Sequence, residues 1–252
     1  MAKLIILGSS NAVSSRDSEN THMVLVGEKR TVMVDCVNNP VHRLDQVGIN
    51  FLGLTDMVLT HFHPDHVSGV PLFLMDMWLR GRTEPINIYG LHYTLDRMET
   101  LMHLYVWENW PDFFPVSFHR LPDSEKALFF DSDEFKIFSS PVRHLIPTIG
   151  LRIEFKENQK SMAYSCDTEP CGEVARLAER VDVLIHEATG ASRGHSSAGQ
   201  AGKIATQAEA GKLYLIHYPT GVYSNGDLIA EARQQYLGEV ALATDLMTLE
   251  FS

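Results

Sequence analysis

The stretch Leu59-Thr60-His61-Phe62-His63-Pro64-Asp65-His66-Val67-Ser68-Gly69 decides how this chain is read. An apolar strand predicted over Asp56–Leu59 runs into it, and a helical pattern follows. Four potential metal ligands fall within six positions, spaced HxHxDH. In an extended segment, side chains at i and i+2 point the same way, so His61 and His63 can grip one ion together. A turn at Pro64 then brings Asp65 and His66 to a second position beside the first. Imidazole combined with carboxylate suits zinc, manganese or iron, whereas magnesium and calcium favour all-oxygen shells.

Outward from this segment the pattern is strand-rich on the N-terminal side. Lys3–Leu7, His22–Val26 and Thr31–Cys36 are short, β-branched runs bounded by turn residues, with a long polar loop at Ser9–Thr21. Pro40–Gln46 reads as a helix, with Pro at its first position and Gly48 beyond its end. Apolar residues at three- and four-residue spacing predict helices over Val67–Leu79 and His92–Trp107, around a strand at Ile86–Tyr89. Strands return at Ala127–Phe130, Phe135–Ser139, Ile149–Phe155 and Ser161–Ser165. Then helices (Cys171–Arg180, Ser197–Ala208, Leu228–Tyr236) alternate with strands (Val183–His186, Leu213–His217, Val240–Ala243), and Met247–Phe251 closes the chain. Without repeats or linker-like stretches, residues 1–252 are expected to form one domain of sheets with helices packed outside.

Composition limits the function. The chain has 252 residues, 44% of them hydrophobic, enough to bury a large core without disulfides. A net charge of −11 argues against gripping long nucleic acid, which needs Lys and Arg to displace counterions, but admits a short phosphodiester. Cys36, Cys166 and Cys171 are odd in number and form no CxxC, as expected of reduced thiols in the cytoplasm. The opening Met1–Gly8 is too short for a signal peptide's apolar core, and no run approaches the ~18 residues of a membrane span.

Further ligand types stand at predicted strand ends: His144 after Pro141-Val142-Arg143, Asp167 after Met162–Cys166, and His217 after Leu213–Ile216. Asp167 is the natural bridge, since one carboxylate can offer an oxygen to each of two ions. His195 precedes a helix predicted to begin near Ser196, whose free N–H groups would face an anion.

With these residues in place the chain resembles the metallo-β-lactamase superfamily, an α+β fold built as a four-layer αββα sandwich. The closest match is the RNase Z-like, phosphodiesterase branch. Tyr164-Ser165-Cys166-Asp167-Thr168, His186-Glu187-Ala188-Thr189 and Gly194-His195-Ser196-Ser197 carry that likeness. The resemblance implies two divalent metal ions, zinc first, with manganese or iron as alternatives. One would be held by His61, His63, His144 and Asp167, the other by Asp65, His66, Asp167 and His217. It makes His195 a catalytic residue facing the substrate phosphate, oriented by Glu187, and Asp65 a second-metal ligand that accepts a proton from water. A homodimer is expected from the family habit and from the aromatic-rich segment 78–114.

Departures narrow the substrate. RNase Z enzymes commonly carry a basic, glycine-rich arm between the positions matching His144 and Asp167. Here only 22 residues separate them, two predicted strands use most of those, and the arm is missing. Cys166 stands where relatives often have Gly. The leading expectation is hydrolysis of a small phosphodiester, such as a cyclic nucleotide or a short RNA end. Paired cations would lower the pKa of a shared water toward ~7. The same chemistry could open a lactone, thioester, sulfate ester or β-lactam; a tRNA 3′ endonuclease and a non-hydrolytic metal protein are the remaining alternatives.

Overall fold

In the computed structural model, which describes residues 2–224 and 226–251, β1 (Ala2–Gly8) sets the layering. Leu4, Ile5, Ile6 and Leu7 are each no more than 1% exposed. Strand side chains alternate, so such a run must be covered on both faces. Leu4 and Ile6 join one apolar cluster, Ile5 and Leu7 another.

The first half of the chain then runs β2 (His22–Val26), β3 (Thr31–Val34), α1 (Pro40–Gln46), β4 (Asp56–Val58), α2 (Pro64–Val67), α3 (Val70–Leu79), β5 (Ile86–Leu91), α4 (His92–Leu104) and β6 (Val116–Leu121). The second half begins with β7 (Ala127–Asp131), β8 (Phe135–Val142), β9 (Thr148–Phe155), β10 (Ser161–Tyr164), α5 (Gly172–Leu177) and β11 (Val183–Glu187). It ends with α6 (Ala198–Gln207), β12 (Lys212–Ile216), α7 (Leu228–Arg233), β13 (Glu239–Leu242) and β14 (Thr248–Phe251). Two seven-stranded sheets result, ordered β14-β1-β2-β3-β4-β5-β6 and β13-β12-β11-β10-β9-β8-β7.

Leu4, Met23 and Val34 from the first sheet meet Phe135, Ile153, Tyr164 and Ile216 from the second in the central core. Leu44, Phe73 and Met98 of α1, α3 and α4 cover the outer face of the first sheet. Val174, Ala201, Ala205 and Ala232 of α5, α6 and α7 cover that of the second. This is the four-layer αββα sandwich. β3 to β6 and β10 to β13 are parallel runs, so several strand C-termini gather at one rim.

Two local expectations change. The helix predicted over Val67–Leu79 is broken: Gly69 packs where an added Cβ would stand 2.8 Å from the Val37 carbonyl carbon, and Pro71 restarts the helix as α3. β6 had no predicted counterpart, because Ser117, His119 and Arg120 blunt its apolar alternation; it pairs only with β5. No helix among the described residues is long and apolar enough to cross a membrane. All three cysteines are free and buried.

α6 and α7 approach through a glycine: a Cβ on Gly202 would lie 2.4 Å from the Ala232 carbonyl oxygen. Gly202→Ala would gain about 1 kcal/mol of helix propensity. Overpacking costs about 1–3 kcal/mol. The expected result is net destabilisation, read as a lower urea midpoint at unchanged m-value. A midpoint that rises would show that the two helices separate freely.

Candidate metal centre

The chain leaves β4 in extended form, and His61 and His63 emerge on the same side before α2 turns the path. His61 Nε2 lies 3.1 Å from His63 Nδ1, which lies 3.1 Å from His144 Nε2 on the β8–β9 connection. Beside this trio, His66 Nε2 is 3.6 Å from Asp65 Oδ2 and 3.5 Å from Asp167 Oδ1. His217 Nε2 is 3.5 Å from both Asp65 Oδ2 and Asp167 Oδ2. All seven predicted ligands therefore come together, and Asp167 turns one oxygen to each of two histidines.

The spacing fits cations. Two ligand atoms each about 2.0–2.1 Å from one ion at the tetrahedral angle stand about 3.3–3.4 Å apart. The observed separations bracket that value, and the 3.5–3.6 Å contacts around Asp65, His66, Asp167 and His217 are long for direct hydrogen bonds. His66 Nε2, His217 Nε2 and Asp167 Oδ1 are buried without a hydrogen-bond partner, although orphaned buried polar atoms are rare. They aim at a common gap, and nitrogen with carboxylate oxygen is a donor set for zinc, manganese or iron.

Four of the five imidazoles, all but His63, are locked from behind. His144 Nδ1 donates to the Gly194 carbonyl at 2.7 Å, and Gly194 (φ +84°) leaves room where a Cβ would stand 3.0 Å from that nitrogen. His217 Nδ1 donates to Thr189 Oγ1 at 2.8 Å, while that hydroxyl donates to the His217 carbonyl. His66 Nδ1 donates to Asp35 Oδ2 at 2.8 Å. Thr60 Oγ1 donates to Asp35 and accepts from His61 Nδ1 at 3.1 Å. These bonds assign the Nδ1–H tautomer and leave Nε2 bare toward the cluster. Burial pushes His61, His63 and His144 below the ordinary imidazole value, which keeps them neutral and ready to bind a cation.

Asp35 was missed by sequence reasoning; it fell inside the strand predicted over Thr31–Cys36, whereas β3 ends at Val34. It is fully buried, sits at φ +59°, and holds Thr60 by backbone and hydroxyl together. Cys166 and His217 share this left-handed conformation, at φ +53° each. For a residue with a Cβ it costs about 1–2 kcal/mol, which explains why glycine suits the Cys166 position. Cys166 Sγ lies 3.6 Å from His61 Nδ1, on the far side of that ring from the bare nitrogens.

His195 stands over the cluster, its ring centroid 5.0 Å from that of His144 and 6.0 Å from that of His217, stacked on the latter. Glu187, fully buried, accepts His195 Nδ1 at 3.0 Å together with the backbone N–H groups of Thr168, Ser196 and Thr189. Burial lowers His195, but the Glu187 hydrogen bond and charge outweigh it and raise the imidazole above its ordinary value. The expected anion site at the next helix is absent. α6 begins at Ala198, and its first N–H groups are taken by the Ser197–Gln200 capping box and by Glu231.

Other histidines stay apart. His22 is buried on the Asn20 carbonyl and pushed to about 4, chiefly by burial. His186 donates to the Glu187 carbonyl, and His42, His92, His103 and His119 are exposed. A surface cavity of about 960 Å3 along α1 and α3 shares no residue with the ligand cluster.

Burial opposes charge on His66, yet Asp167 and Asp35 raise its imidazole well above 6.5 in the metal-free protein. A cation must displace that proton, so metal affinity should keep rising with pH above 6.5, measured by chelator competition. A plateau at 6.5 would show His66 already neutral. Asp35→Asn keeps an acceptor for Thr60 but sets an amide against His66 Nδ1–H, and metal affinity should fall about 10–100-fold. Unchanged affinity would remove Asp35 from this role.

The model of the family described as Anti-Pycsar protein Apyc1 matches residues 2–236. Ribonuclease Z of Methanothermobacter thermautotrophicus is 26% identical over 305 aligned positions, covering 99% of this chain and 97% of the relative. That alignment exceeds the 252 residues of this chain by 53, so at least that many positions have no counterpart here. Among solved structures, the metallo-β-lactamase fold protein YhfI from Bacillus subtilis matches with a TM-score of 0.83 at 21% identity over 99% of both chains. Human tRNase Z, short form, matches at 0.80 with 24% identity, again over 99% of both. These two likenesses establish the fold. The family match and the ribonuclease Z relative make the chain a metal-dependent hydrolase of the RNase Z-like branch of the metallo-β-lactamase superfamily, belonging to the Anti-Pycsar protein Apyc1 family.

Proposed function

We propose that the protein hydrolyses a small phosphodiester, with a cyclic nucleotide as the leading substrate and a short RNA end as the other candidate. The observation that carries this is the pairing of a two-cation ligand cluster with an imidazole, His195, fixed above it by a buried carboxylate. His61, His63, His144 and Asp167 would hold one ion; Asp65, His66, Asp167 and His217 the other. When bound, two such cations, zinc or else manganese or iron, supply Lewis acidity to phosphoryl oxygens and acidify water toward a pKa of about 7.

The chain's own residues do the rest. Asp65 is held ionised: burial opposes this, but the neighbouring imidazoles of His217 and His66 outweigh it. Its carboxylate takes a proton from the attacking water. As the new P–O bond forms and the old one breaks, His195 gives its Nε2 proton to the departing oxygen. Glu187 holds His195 Nδ1 and supports the charged ring.

Substrate size follows from what is missing. Between His144 and Asp167 the chain makes only β9, a short turn and β10, with no arm to hold an RNA fold. A net charge of −11 offers little grip on a long backbone. The ribonuclease names of relatives support phosphodiester chemistry while their extra length supports a smaller substrate here. The reading includes a homodimer in the cytoplasm, with Leu79, Leu104, Tyr105 and Val106 exposed along the outer helices as the candidate face.

Turnover of methyl p-nitrophenyl phosphate tests the roles. His195→Ala should lower kcat about 10²–10⁴-fold with metal content retained. Asp65→Ala should lose turnover and one metal together, by elemental analysis. Full activity in either variant would overturn its assigned role, and a wild-type enzyme that opens lactones but no phosphodiester would overturn the reading.

A further inference from the structure

Gly194 stands between two working groups: its carbonyl accepts His144 Nδ1–H at 2.7 Å, and His195 follows it in the chain. The glycine that permits φ +84° here is also the residue with the freest backbone, so the direction of its carbonyl must be set from outside. The hydrogen bond to His144 sets one end. A second contact sets the other.

That contact is Glu169. Its Oε1 accepts the Gly194 N–H at 2.8 Å, on the short side for N–H···O, as suits a charged acceptor. Glu169 is itself anchored beside the metal ligand. Its N–H donates to the Arg143 carbonyl at 2.7 Å, one residue before His144, and its carbonyl accepts the Thr168 hydroxyl at 2.7 Å. The same hydroxyl accepts the Arg143 N–H at 3.1 Å. Thr168 gives its N–H to Glu187, and its carbonyl accepts Ser196 Oγ–H at 2.7 Å. Glu169 therefore ties together the loops of His144, Asp167 and His195. Among the described residues it belongs to no group of converging ligand atoms, so the half-buried carboxylate is not spent on a cation.

We propose that Glu169 is a positioning residue for His144, acting through Gly194; this rests on the two-cation reading above. With the Gly194 N–H held, φ of that glycine is fixed and its carbonyl stays on His144 Nδ1. The ring then keeps the tautomer that leaves Nε2 bare toward the cluster. Without the carboxylate the N–H turns to water, the carbonyl leaves Nδ1, and the ring is free to rotate.

Stepwise zinc affinity of the full chain, measured by chelator competition, tests this. In Glu169→Ala one binding step should weaken about tenfold, the lower end of what losing a ligand's own partner costs. It should be the step that His144→Ala abolishes, and the other step should hold. Glu169→Leu, which fills the space without an acceptor, should match Glu169→Ala. Glu169→Gln, which keeps an oxygen at that position, should restore most of the loss. A role confined to folding would weaken both steps together and gain nothing from glutamine. That result, or unchanged affinity in Glu169→Ala, would overturn the assignment. A wild type that binds fewer than two zinc ions by elemental analysis would instead overturn the two-cation reading.

Discussion

Bare imidazole nitrogens facing one another repel, because each points a lone pair at the next. His61 Nε2, His63 Nδ1 and His144 Nε2 are nevertheless held 3.1 Å apart in two contacts, and the carboxylates of Asp65 and Asp167 converge beside them. Positive charge among the donors stabilises such an arrangement, provided that the scaffold prevents the rings from turning away. Most of the molecule serves that constraint. The two sheets fix the strand ends, and the hydrogen bonds behind His66, His144, His217 and His61 decide which nitrogen faces inward. The left-handed residues Asp35, Cys166 and His217 redirect the chain within two residues of a strand end.

Much of this was legible in the sequence because it depends on local geometry. HxHxDH after an apolar strand implies two adjacent ligand groups from the alternation of strand side chains alone. Leu4–Leu7, apolar at every position, announces a strand covered on both faces. His144, Asp167 and His217 could be placed because each follows an apolar run. The outer ring of helices followed from periodicity, with boundaries within a few residues for most elements.

The rest was hidden for identifiable reasons. Asp35 acts through partners 25 and 31 positions away, and nothing in its own neighbourhood sets it apart from the rest of the predicted strand Thr31–Cys36. β6 carries His119 and Arg120 outward at the sheet edge, so its strand pattern is weak. The break at Gly69 depends on the Val37 backbone, a tertiary contact that helix periodicity cannot register. The N–H groups ahead of α6 seemed open to a ligand, but Glu231, from another helix, takes one of them.

Asp245 gives the polar loop at Ser9–Thr21 an anchor, accepting Ser9 N and Oγ on one oxygen, Glu19 N and Arg43 Nη2 on the other. Ser10 and Asn11 then tie that loop to the segment after β12. The two loops are fastened mainly to each other and to the scaffold, with His217 joined through its backbone N–H to Ser9. They form a cassette. Evolution could exchange the pair as a unit and retune selectivity while the catalytic floor stays untouched, whereas replacing either loop alone would leave its mate without a seat.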